Sequence, residues 1–110
     1  MNDLLRRRYS EALDLMAADK YEKAAASMEL ILQDSPDFLE VYEGLAMVYS
    51  HQNQTDRAIE VIQKLISIDP DNIMAHANLS VFYMKKGMIE AAEEEKAKAT
   101  VLRFSKGNNN

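Results

Sequence analysis

Small residues recur with a period of 34 along this chain, at Ala24, Ala58 and Ala92, and each is preceded at one constant offset by another, at Ala12, Ala46 and Ser80. A copied unit of this length is one supersecondary element that cannot bury its apolar face alone, so its copies must stack on one another. The paired small residues within each copy mark the place where two helices of a hairpin cross, because close approach of two backbones requires small side chains there. The period therefore restricts the fold to a stack of helical hairpins.

Turn residues divide the copies at matching places. Pro36 and Pro70 are one period apart, in Asp34-Ser35-Pro36-Asp37 and Asp69-Pro70-Asp71-Asn72. Proline cannot continue a helix, and the Asp or Asn after it can cap the next one. A second break falls within each copy, at Ala17 to Lys20, Gln52 to Thr55 and Lys86 to Met88, where Asp, Asn or Gly permits a tight turn. The pattern predicts six helices, Asp3 to Ala17, Tyr21 to Gln33, Phe38 to Gln52, Asp56 to Ile68, Ile73 to Lys86 and Ile89 to Phe104. Apolar residues at three- and four-residue steps, such as Leu45, Val48, Tyr49 and Leu79, Phe82, Tyr83, give each helix one buried stripe.

The chain's 110 residues suit one domain, expected over residues 1–106 with repeats at about 5–38, 39–72 and 73–104 and a flexible tail at 107–110. No apolar run approaches the roughly 20 residues of a bilayer span, and Met1 to Arg8 lacks a signal-peptide core, which predicts a cytoplasmic protein without membrane insertion. With no cysteine, disulfides, thiolate nucleophiles and Cys-ligated metals are excluded. The net charge of −5 argues against nucleic-acid binding, which needs clustered cations. Residues 39–72 are the acidic part, with two Lys/Arg against six Asp/Glu.

These residues resemble the tetratricopeptide repeat family over three repeats, about Leu5 to Phe104. In the middle repeat, Tyr42, Leu45, Ala46, Tyr49, Ala58, Ile62 and Pro70 fall at the family's signature positions; the third carries Leu79, Ser80, Tyr83, Gly87, Ala92 and Ala99. The third repeat departs from the pattern at His76, Lys96 and Phe104, and the first keeps Ala12, Tyr21, Ala24 and Pro36 but has Arg8 and Glu11 at signature positions. The resemblance implies an all-α, right-handed superhelical stack of three antiparallel hairpins, with the first helix of each lining a concave peptide groove. Mapped onto this sequence, that groove is expected to contain Tyr9, Leu13 and Met16; Glu40, Glu43, Met47, Ser50 and His51; and Met74, Asn78, Val81, Met84 and Lys85. Exposed apolar floor of this kind marks a partner site, and unbranched, polarizable Met side chains can mould around an amphipathic helix. The alternative is a homo-oligomerising structural module whose groove or terminal stack is filled by another subunit.

A subset of the family holds the acidic tails of Hsp70 and Hsp90 through Lys, Arg and Asn at fixed groove positions. Those positions are Tyr9, Leu13, Gly44, Met74 and Asn78 here, and the missing cations predict no chaperone-tail binding. Arg6-Arg7-Arg8 reads as a solvated face, and Glu93-Glu94-Glu95-Lys96-Ala97-Lys98 as a charged outer face capping the last repeat. His51 and His76 lack a second ligand at helical spacing, so no metal is expected. No phosphate loop, nucleophile elbow or zinc-protease helix occurs, which predicts a non-catalytic adaptor without cofactor.

Overall fold

The computed structural model describes residues 3–108. Six helices follow in order: α1 Asp3–Ala17, α2 Tyr21–Asp34, α3 Leu39–His51, α4 Thr55–Ile68, α5 Ile73–Lys85 and α6 Ile89–Asn108. They form three antiparallel hairpins, α1/α2, α3/α4 and α5/α6, and each helix packs mainly on its neighbours in sequence, with a thinner contact between α1 and α3.

The hairpin turns repeat one backbone device. Asp19, Asn53 and Gly87 hold positive φ angles of 62°, 60° and 75°, again one repeat period apart. Asn and Asp tolerate the left-handed region better than other side chains, and Gly enters it freely, which is why these residue types occupy the turns. Inside each hairpin the expected crossing is present. Ala12, Ala24, Ala46, Ala58 and Ala92 are fully buried, and the Ser80 hydroxyl donates to the Ala92 carbonyl at 2.8 Å across the last crossing.

The joints between hairpins are built less uniformly than the sequence implies. At the second joint, Asn72 caps α5 as expected, its side chain accepting from the Ala75 N–H at 2.9 Å. At the first, Asp37 caps nothing. Phe38 precedes α3 without a side-chain cap, and Asp37 instead accepts from the Ser35 hydroxyl at 2.8 Å. Burial of the Phe38 ring, 1% exposed, secures this start in place of a cap. The last helix overruns its expected end: with Phe104 where Pro36 and Pro70 close the earlier units, α6 continues to Asn108. Gly107 and Asn108 of the expected tail are therefore helical, while Asn109 and Asn110 lie outside the described residues.

The core runs through the stack, with Met28, Ile31, Val41, Val48, Ile62 and Leu65 fully buried. Positions that correspond from one repeat to the next show how the array ends. Val41 and Ala75, Leu45 and Leu79, and Val48 and Phe82 are buried against the preceding hairpin, but α1 carries exposed Arg7, Glu11 and Asp14 at these places. At the other end, Met28 and Ile62 are buried, and their counterpart in α6 is exposed Lys96. At these positions charge replaces apolar surface where a hairpin has no neighbour. The expected charged run 93–98 is an outer face with one correction. Glu95 turns inward, 7% exposed, because α5 presents His76 to it.

Candidate functional site

α1, α3 and α5 carry the residues expected to form the groove, and two kinds of contact tie these helices together. Between α1 and α3, the Tyr9 ring packs edge-on against Phe38 at 5.5 Å and its hydroxyl donates to the Glu40 carbonyl at 2.9 Å. Gly44 makes this possible, since a Cβ there would lie 2.6 Å from the Tyr9 hydroxyl oxygen. Between α3 and α5, Lys85 Nζ donates to the Ser50 hydroxyl at 2.8 Å.

The expected apolar floor divides into two classes. Tyr9, Leu13 and Met16 of α1 are half-buried and pack against the core. Met47 of α3 and Met74, Val81 and Met84 of α5 are open, with 40%, 56%, 55% and 48% of their surface exposed. Asn78 is half-buried among the latter. Val81 and Met84, with Ala77 and Ser80, also line an open slot between α5 and α6 whose far wall is Glu93, Lys96, Ala99, Thr100 and Arg103. His51, expected in the groove, stacks on the Tyr21 ring of α2 at 5.2 Å with planes 7° apart.

Glu40 is exposed and Glu43 half-buried. Burial, with the Glu40 charge beside it, pushes the Glu43 carboxyl above the usual carboxylate range. Burial and the same two carboxylates hold the Tyr9 phenol up at about 12, so it remains a neutral donor. Among the described residues neither glutamate side chain has a hydrogen bond or an ion pair, whereas Arg8–Asp34, Lys86–Asp56 and Lys98–Glu95 are paired elsewhere.

A second concavity, on the opposite side and not anticipated from the sequence, lies between α2 and α4. Tyr42, Leu45 and Tyr49 of α3 contribute to its lining, with Glu29 and Leu32 from α2 and Arg57 and Val61 from α4. The Arg57 guanidinium lies 4.5 Å over the Tyr49 ring, and the Tyr49 hydroxyl donates to Glu29. Burial first and then this bond raise the Tyr49 phenol to about 12. The partners come from three helices, and no local spacing signals their meeting. Among the described residues no group of three or more His, Asp or Glu could hold a metal ion, and no helix is long and apolar enough to cross a membrane.

The model of the tetratricopeptide repeat family matches residues 15–77 and 51–100. A peroxisomal targeting signal receptor of Yarrowia lipolytica is 29% identical over 73 residues, which is 66% of this chain and 12% of the receptor. Among solved structures, a crystal structure of MamA superposes with a TM-score of 0.90 at 24% identity, over 94% of this chain and 61% of that one. The Yersinia enterocolitica type III secretion chaperone SycD, in complex with a peptide of the translocator YopD, superposes with a TM-score of 0.87 at 22% identity, over 93% of this chain and 78% of that one. The chain thus spans about an eighth of the receptor and three fifths of the MamA chain. The two structures share its fold of stacked helical hairpins.

Proposed function

The chain belongs to the tetratricopeptide repeat family, and from that premise we propose that it is a non-catalytic interaction scaffold whose α1/α3/α5 face captures an apolar or amphipathic segment of another protein. The observation that carries this reading is the row of exposed Met47, Met74, Val81 and Met84 on helices whose other faces are buried. Four large apolar side chains left open on one side of a small domain have a solvation cost that a partner relieves. Three of the four are methionines, which repack around different apolar anchors with little strain. SycD, of the same fold, is crystallised with a peptide of its translocator, which makes peptide capture a natural use of such a stack. The half-buried α1 residues Tyr9, Leu13 and Met16 form a firm wall beside this row, and Ser50, Asn78 and Lys85 supply polar contacts at its margin. Tyr9, Leu13, Gly44, Met74 and Asn78 put no cation at the places that would hold an acidic chaperone tail, which argues against such tails as ligands.

The test is a titration of the protein with a fluorescent synthetic amphipathic helix bearing a leucine stripe. Met47→Glu is expected to weaken binding at least about tenfold, the loss of a central apolar anchor. Its circular dichroism and melting temperature should match the parent, because Met47 is 40% exposed. Binding unchanged by the substitution overturns the groove, and a large fall in melting temperature would make Met47 a core residue instead.

A further inference from the structure

Resting on the groove reading, we propose that the segment it holds is cationic: an amphipathic helix that lays apolar side chains on Met47 and sets a Lys or Arg against Glu40 and Glu43. The three residues fall at i, i+3 and i+7 of α3, so two carboxylates and one open apolar side chain share a single helical stripe. Tyr9 stands beside both carboxylates, but its one O–H already goes to the Glu40 carbonyl and is unavailable to them. The groove's own cations do not answer them either. Lys85 is engaged with Ser50, and among the described residues no cation forms an ion pair with either glutamate.

Glu40 has a reason of its own for being there, since an acidic residue in the first turn complements the positive end of α3. Glu43 has none. It lies a turn further on, half-buried and next to a like charge, and burial first and then the Glu40 charge push its carboxyl above the usual range. A carboxylate kept in this setting beside exposed methionine is complementary to a guanidinium or ammonium arriving with an apolar stripe, and the bond it would form is charge-assisted and partly shielded from water. An anionic segment would be repelled by the same two carboxylates.

The experiment compares two synthetic helices with identical leucine stripes, one flanked by Lys and one by Glu, binding to the full chain at low and high salt. The Lys helix is expected to bind at least about tenfold more tightly at low salt, the preference shrinking as salt screens it. Glu40→Gln/Glu43→Gln should abolish the preference. Glu90→Gln/Glu94→Gln, which makes the same change in net charge at exposed positions of α6 away from the slot beside Val81 and Met84, should retain it. Loss of the preference in both double variants would reduce it to overall charge and overturn the proposal, as would equal binding of the two helices by the parent. If neither helix binds the parent, the groove itself fails, a result distinct from binding without charge preference.

Discussion

His76 stands in the third hairpin where Tyr42 stands in the second, and both reach the carbonyl of the proline at the preceding joint. The Tyr42 hydroxyl donates to the Pro36 carbonyl at 2.6 Å, and His76 Nε2 lies 2.7 Å from the Pro70 carbonyl. A phenol has one proton to give; an imidazole has a second ring nitrogen, and here Nδ1 lies 2.7 Å from Glu95 Oε1. Both ring nitrogens face oxygen atoms, so one ring links the joint before α5 to α6. Lys98 adds a third contact, 2.9 Å to Glu95 Oε2. Burial alone would raise the Glu95 carboxyl, but the bonds from His76 and Lys98 outweigh it and the net direction is downward. The folded carboxyl therefore ionises below its ordinary value of 4.5, so this contribution to stability is fully present above that value and is lost as pH falls through the folded pKa. Glu95→Gln should flatten the acid limb of a stability–pH profile measured by urea unfolding. Glu95→Ala should cost about 1–3 kcal/mol near neutrality, the penalty for leaving the buried His76 ring without its hydrogen-bond partner. His76 was legible only as a departure from the repeat. Its partner, on the next helix in a run of glutamates that reads as solvated, was not.

At the scale of elements, the backbone devices were the most legible part, because proline and turn residues act locally. Pro36 and Pro70 follow the ends of α2 and α4, and Asp19, Asn53 and Gly87 make the turns that the sequence marks at those places. The capping of α3 was misread, because burial of Phe38 does the work that Asp37 was expected to do. The end of α6 was misread for a related reason: nothing at Phe104 stops a helix, and α6 reaches 20 residues where α2 and α4 have 14. Phe104→Pro should shorten α6 by roughly one turn, seen as a small loss of far-ultraviolet ellipticity. The melting temperature should hardly move, since Phe104 is 71% exposed. A large drop would mean that the end of α6 supports the stack.

At the scale of the molecule, the repeat register made the order of packing legible, while the use of each surface was not. Periodicity tells which stripe of a helix is apolar, but not whether a neighbouring helix covers it. Leu13 and Met47 have equivalent places in the repeat, yet Leu13 is half-buried and Met47 is open. The ends of the array are where charge has replaced apolar surface, as at Arg7, Glu11 and Asp14 on α1 and Lys96 on α6. Such ends oppose the stacking of one copy on another. Sedimentation of the parent should be independent of concentration, and Lys96→Ile, which restores the residue of the preceding repeat, should make it concentration-dependent. The contacts between hairpins run almost entirely from each to the next. Such an arrangement can unzip from either extremity while the middle persists. A guest lying across all three hairpins would act as a crossbar, joining first to third and turning piecemeal opening into a single concerted event.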